Sequence, residues 1–113
     1  MVTRYIPERG DIVWLDFTPQ AGHEQAGHRP ALVLSPRTYN GKAGLMLCCP
    51  ITSQVKGYPF EVRLEVSDIR GVVLSDQLRS VDWRARRAKR HAKAPGAVME
   101  EVTARARALL IEN

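Results

Sequence analysis

The sequence predicts a mostly β chain with minor α: a small antiparallel barrel followed by a C-terminal helix. Three observations carry that expectation. Short runs rich in β-branched and aromatic residues are separated by turn residues at close intervals, the pattern of a small all-β unit. These runs do not alternate with long helices, as a doubly wound parallel sheet requires. The chain's last stretch alone changes from strand-like to helical spacing.

The elements follow in order. "DIVWLDF" (11–17) is a strand by composition. "ALVLS" (31–35) is a continuous apolar run behind Pro30, and proline is tolerated at a strand's first residue. "PRTYNGKAG" (36–44) has room for one helical turn before a loop, and "LMLCCPI" (45–51) is another apolar strand. "FEVRLEV" (60–66) alternates: Phe60, Val62, Leu64 and Val66 share one face, and Glu61, Arg63 and Glu65 share the other. "GVVLS" (71–75) and "LRSVDW" (78–83) complete the strand set. From Pro95 to Ile111, Val98, Val102, Ala106 and Leu109–Leu110 recur at helical spacing, which predicts a helix packed on the barrel. Pro95 suits its first position with Ala94 as a weak N-cap. Glu100 and Glu101 lie early, and Arg105 and Arg107 late, as the helix dipole favours.

A chain of 113 residues is one domain (1–113), and 44% apolar residues suffice for a core. The net charge of +5 is uneven: residues 51–113 hold twelve basic and eight acidic side chains, residues 1–50 five and four. A small basic protein suits a polyanionic or acidic partner. Cys48 and Cys49 are adjacent inside an apolar run, so they are expected to be reduced core residues of a cytoplasmic protein. No signal-like or membrane-spanning stretch is expected.

Several chemistries lack their residues. "GKAG" has neither the spacing nor the Lys-Ser/Thr of a phosphate-binding loop. Ser35 and Ser75 lie in no nucleophile elbow, and His23, His28 and His91 are not at metal-ligand spacing. No metal or other cofactor is implied. Three polar clusters remain. The loop "TPQAGHEQAGHR" (18–29) is long for a hairpin connection and runs into the strand behind Pro30. "PITSQVKGYPF" (50–60) should present Thr52, Ser53 and Gln54 at a strand end, with Lys56 and Tyr58 beyond, for phosphate contact or for turn capping. "RSVDWRARRAKRHAK" (79–93) holds seven Lys/Arg, one Asp and Trp83. Cations beside a ring suit single-stranded nucleic acid, where rings stack on bases; a charged edge strand is the other use of such a stretch.

"GDIVWLDF", "EQAGHRPALVLSP", "YNGKAG", "PITSQVKGYPFEV" and "SDQLRSVDWRAR" together resemble the MazF/PemK-type toxins of toxin–antitoxin systems. The resemblance runs from residue 1 to about residue 87 and continues more weakly through the terminal helix. It implies an SH3-like (CcdB/PemK-like) barrel, a homodimer, and an endoribonuclease that cuts single-stranded RNA, chiefly mRNA. It also implies inhibition by a MazE-type antitoxin with an acidic tail. Residue by residue, Arg29 falls on the catalytic arginine of "HRP", Thr52 on the threonine of the "TSQ" motif, and Glu24 on a position tied to activity. Asp16, Phe17, Lys56 and Gln77 fall where RNA contacts are expected, and Arg84 and Arg86 belong to the basic stretch beside them. Two segments depart from the pattern of some relatives: "EVSDIRG" (65–71) in length and charge, and "RRAKRHAKA" (86–94), where close relatives often have a glycine-containing basic turn.

These residue types permit metal-free cleavage by the 2′-hydroxyl of RNA itself. Arg29 and Thr52 would hold the phosphate, and Glu24 or His28 would take the proton. Two other readings use the same sequence. One is a plain RNA-binding barrel without catalysis. The other is a CcdB-like gyrase poison, which would engage its target through an aromatic C-terminal segment, whereas this chain ends "LLIEN".

Overall fold

The structure, a computed structural model, describes residues 4–17 and 27–111. Its elements are β1 (Asp11–Asp16), β2 (His28–Val33), α1 (Arg37–Ala43), β3 (Met46–Thr52), β4 (Glu61–Val66), β5 (Ile69–Leu74), β6 (Arg79–Val81), β7 (Lys89–Lys93) and α2 (Gly96–Ile111). The strands run β4-β5-β3-β2-β1-β7, all pairs antiparallel, with β6 on β3. The result is a curled half-barrel. On one edge of β3, Met46–Cys48 pair with β6, and Ile51 and Thr52 pair with β5. Pro50 falls where that edge passes from one partner to the other, so its missing N–H costs no ladder bond there.

Both faces of the central strands are buried, which explains their continuous apolar runs. Ile12, Leu32, Cys49 and Ile51 face a core completed by Val62 and Leu64 of β4, Val73 of β5 and Val102 of α2. Val13, Leu15, Ala31, Val33 and Cys48 face a second core with Phe17, Met46, Val81 and Trp83. Cys48 and Cys49 therefore point into different cores. Both are free and buried, and burial pushes each thiol up to about 12, so they are unreactive.

Sequence expectation and structure differ at several places. β2 begins at His28, not at Ala31, because His28, Arg29 and Pro30 already pair with Asp16, Leu15 and Trp14. α1 has two turns rather than one, closed by Gly44 at φ 71°, whose N–H donates to the Asn40 carbonyl. The expected strand 78–83 shortens to Arg79–Val81. The basic stretch beyond it turns back to form β7 at the sheet's edge. α2 starts one residue late: the Pro95 carbonyl accepts from the amides of Val98 and Met99, which makes Pro95 the cap. Its apolar end does not pack on the barrel. Val102 and Ala106 are buried, whereas Leu109, Leu110 and Ile111 are exposed.

Trp83 also departs from expectation. It is 5% exposed, and its indole N–H donates to the Asn40 carbonyl at 2.9 Å. Asn40 is a buried hub. Its amide donates to the carbonyls of Pro7 and Ser35, and it accepts from the Ser35 hydroxyl at 2.6 Å. Trp83 is thus core, not a platform for stacking bases.

Candidate functional site

The sheet's curl leaves open grooves where the β1–β2 and β3–β5 strand ends meet. Arg29, exposed in β2, lies opposite Leu15 of β1 and lines two of them. The first, of about 600 Å³, is floored by Leu15, Ala31, Cys48 and Ile51 and rimmed by Phe17, Gln77 and Arg79. The second, of about 370 Å³, gathers Trp14, His28, Thr52, Ser53, Gln54, Asp68 and Arg70 around Arg29. Thr52 closes β3, and its hydroxyl accepts from the Gln54 amide at 3.1 Å. Thr52 and Gln54 also line a small third groove, of about 120 Å³, with Lys56, Tyr58 and Gln77.

The supports of these side chains are local. The Glu61 carboxylate accepts the amides of Lys56 and Gly57 at 2.9 and 2.8 Å, which ties the 53–60 loop to the start of β4. Gly71 explains how Thr52 is seated: a Cβ there would stand 2.1 Å from the Thr52 carbonyl oxygen, so β5 approaches β3 at a distance only glycine allows. Phe17 is buried, with the guanidinium of Arg86 at 4.8 Å and that of Arg79 at 5.6 Å from its ring centre. Such stacking presents cations at the groove's rim. The Asp16 amide donates to the Arg86 carbonyl at 2.7 Å, and Asp16 stands opposite His28 in the β1–β2 register.

The structure therefore brings Arg29, Thr52 and His28 to one groove, and sets Phe17, Lys56 and Gln77 along its continuations. Asp16 and Arg86 line none of these grooves: Asp16 adjoins them only by standing opposite His28 in the β1–β2 register, and Arg86 only by stacking on Phe17. Arg84 likewise lines none of them and covers the Trp83 ring at 5.0 Å. Glu24 lies outside the described residues. Sequence reasoning missed Trp14, Asp68 and Arg70 as groove residues, and had Arg79 only as the first residue of the basic stretch 79–93. For Trp14 a signal existed: it is the one aromatic ring in β1, DIVWLD. Asp68 sits in a hairpin tip and gave none. Among the described residues, no three His, Cys, Asp or Glu side chains gather as metal ligands, and no helix is long and apolar enough to cross a membrane.

A curled β half-barrel with guanidiniums, hydroxyls and an amide along open grooves defines a class of protein that handles an extended anionic ligand. The chain belongs to the PemK-like, MazF-like toxin family of type II toxin–antitoxin systems, whose family model matches residues 8–110. It is 59% identical over 86 residues to the endoribonuclease toxin MazF of Escherichia coli K12, covering 76% of this chain and 78% of that one. It is 42% identical over 116 residues to the endoribonuclease toxin ChpB of the same strain, covering 97% and 99%. Among solved structures, the MazE–MazF complex (Form-II) from Deinococcus radiodurans superposes with a TM-score of 0.88 at 57% identity, over 97% of this chain and 100% of that one.

Proposed function

We propose that this chain is a sequence-specific endoribonuclease toxin that cuts single-stranded RNA, chiefly mRNA, in the cytoplasm. It acts as a homodimer and is neutralised by a MazE-type antitoxin with an acidic tail. The observation that carries the reading is the meeting of Arg29 from β2 and Thr52 from β3 at one groove. The relatives' names as endoribonuclease toxins, and the antitoxin complex among similar structures, support the activity and the partner.

The chemistry follows from what RNA supplies. Its 2′-hydroxyl is the nucleophile, so the protein must align it, stabilise phosphate charge and manage two protons. Arg29 donates in a planar fork to the phosphate oxygens. Arginine stays protonated, which suits it to charge stabilisation and excludes it as the base. Thr52, seated by the β3–β5 contact, fixes the same phosphate with its hydroxyl. His28 on the same groove accepts the 2′-hydroxyl proton, with Glu24 as the other candidate; as the bond from phosphorus to the 5′-oxygen breaks, Arg29 hydrogen-bonds that oxygen and water supplies its proton. Asp16, Phe17, Lys56, Gln77 and Arg86 guide the strand on either side.

The test is incubation of purified protein with a long RNA in EDTA, followed by mapping of the new ends. The expected products carry 2′,3′-cyclic phosphates and 5′-hydroxyls at one short sequence. Cleavage that requires added metal would overturn the mechanism, and binding without cleavage would leave a plain RNA-binding barrel. Arg29→Ala should lower kcat roughly 10²–10³-fold, the usual loss for one preorganised donor.

A further inference from the structure

Beside the cutting groove lies a second opening, of about 400 Å³, lined by Trp14, His28, Lys89, Arg90 and His91. We infer that this cleft is a phosphate-binding subsite for the stretch of RNA that runs on from the cutting groove, built by β7. The inference rests on the ribonuclease reading above.

Continuity is the first reason. Trp14 and His28 line both openings, so a strand held by Arg29 and Thr52 needs no gap to reach Lys89 and Arg90. Charge is the second. Lys89 is exposed and meets no carboxylate among the described residues. Arg90 touches Asp11 only through Nε at 3.5 Å, and its side chain is 52% exposed. Two cations beside the rings of Trp14 and His28 are the combination that grips single-stranded nucleic acid without reading its sequence. Continuity with the cutting groove favours the RNA itself over an acidic peptide as the occupant.

The third reason is how β7 is set. Lys89 and Arg90 pair with Trp14 and Val13, and Ala92 pairs with Ile12, so His91 is the unpaired extra residue of a bulge. A bulge re-aims its side chain. Here His91 meets the Trp14 ring edge-on at 5.8 Å, and its Nε2 bonds the Asp68 carboxylate at 2.5 Å. Asp68 sits at the two-residue tip between β4 and β5, so this bond joins the two ends of the curled sheet and forms the rim between the openings. The bond to His91 holds the Asp68 carboxyl below its usual range, so the acid stays ionised and paired. Asp68 and His91 come from segments 65–71 and 86–94, outside the motifs that carry the family resemblance.

The test compares two RNAs with the same cleavage sequence, one trimmed to it and one extended on both sides. For the intact protein, the extended RNA should show the lower KM and the steeper dependence on salt. Lys89→Glu should abolish that advantage, and the slope of log affinity against log salt should fall by about 0.7 for each phosphate no longer neutralised. Lys89→Arg should keep both. A KM ratio between the two RNAs left intact by Lys89→Glu, or one abolished equally by Lys89→Arg, would overturn the subsite. So would a Lys89→Glu protein that loses only affinity for an acidic antitoxin peptide. Should the intact protein bind RNA without cutting it, the same ratio is read from dissociation constants, so the subsite and the ribonuclease reading fail separately.

Discussion

Asp11 shows how one side chain anchors the frame beneath the groove. It opens β1, is 2% exposed, and accepts from the Tyr5 hydroxyl, from the Glu8 amide at 3.1 Å and from Lys93 at 3.4 Å. Burial pushes its carboxyl up, but these donors outweigh burial and hold it below the ordinary 3.8. A depressed pKa gives stability that is fully present above the unfolded value and lost as pH falls through the folded one. Tyr5 behaves oppositely. Burial first, and then the bond to Asp11, raise its phenol above the ordinary 10.0, so its contribution is present below that value and lost as pH rises beyond it. Urea denaturation across pH should therefore find Asp11→Asn less stable at neutrality by about 1–3 kcal/mol, the cost of leaving buried donors unsatisfied. The variant's decline in acid should also be shallower than the parent's. Tyr5→Phe should flatten the alkaline decline instead. An Asp11→Asn acid limb as steep as the parent's would show that other carboxylates govern it.

Among the elements, β4 was legible because alternation with one buried face leaves a clear mark: Val62 and Leu64 are buried, Arg63 and Glu65 exposed. β2 and β3 were legible as apolar runs because they are buried on both faces. β7 was not, since "KRHAK" carries no apolar pattern. Its place is set by pairing with β1 across a bulge, which is tertiary information. The groove was legible only in part. "HRP" and "TSQ" marked Arg29 and Thr52 through the resemblance, but Asp68 reached the groove by a hairpin tip and His91 by a bulge, which no local spacing records. Trp83 misled because a ring amid arginines reads the same whether it faces RNA or the core. The glycine opening "GVVLS" did carry a signal, since glycine inside a strand marks close approach of another backbone. That approach yields a prediction. Gly71→Ala places a methyl group against the Thr52 carbonyl. It should destabilise the fold by about 1–3 kcal/mol, as overpacking does. It should also lower RNA cleavage while Arg29 remains in place. Thermal melts and kcat together check it, and a stable, fully active variant would mean that β3 and β5 separate there without consequence.

At the scale of the molecule, two cores share one curled sheet. Adjacent residues of β1, β2 and β3 serve opposite faces, so neither core can dissolve without exposing the other's strands. The terminal helix joins this arrangement through Val102, fully buried among Ile12, Leu32 and Leu64, and through Arg105, which bonds the Pro59 carbonyl and the Glu101 carboxylate. The two tryptophans report on the two cores separately: Trp14 packs beside the first and Trp83 lies within the second. Val102→Ala removes two carbon groups from the first core alone. At about 0.8 kcal/mol for each, plus the cavity left behind, the loss is about 2 kcal/mol. For a chain of this size that lowers Tm by about 8 °C. If the shared sheet couples the cores, fluorescence of Trp83, which lies in the other core, should shift by the same amount as Trp14 fluorescence and helical circular dichroism. Variants keeping one tryptophan each, Trp14→Phe and Trp83→Phe, separate the two signals. A Trp83 transition that stays at the parent's temperature while the helix melts early would show that the half-barrel's second face folds without its terminal helix.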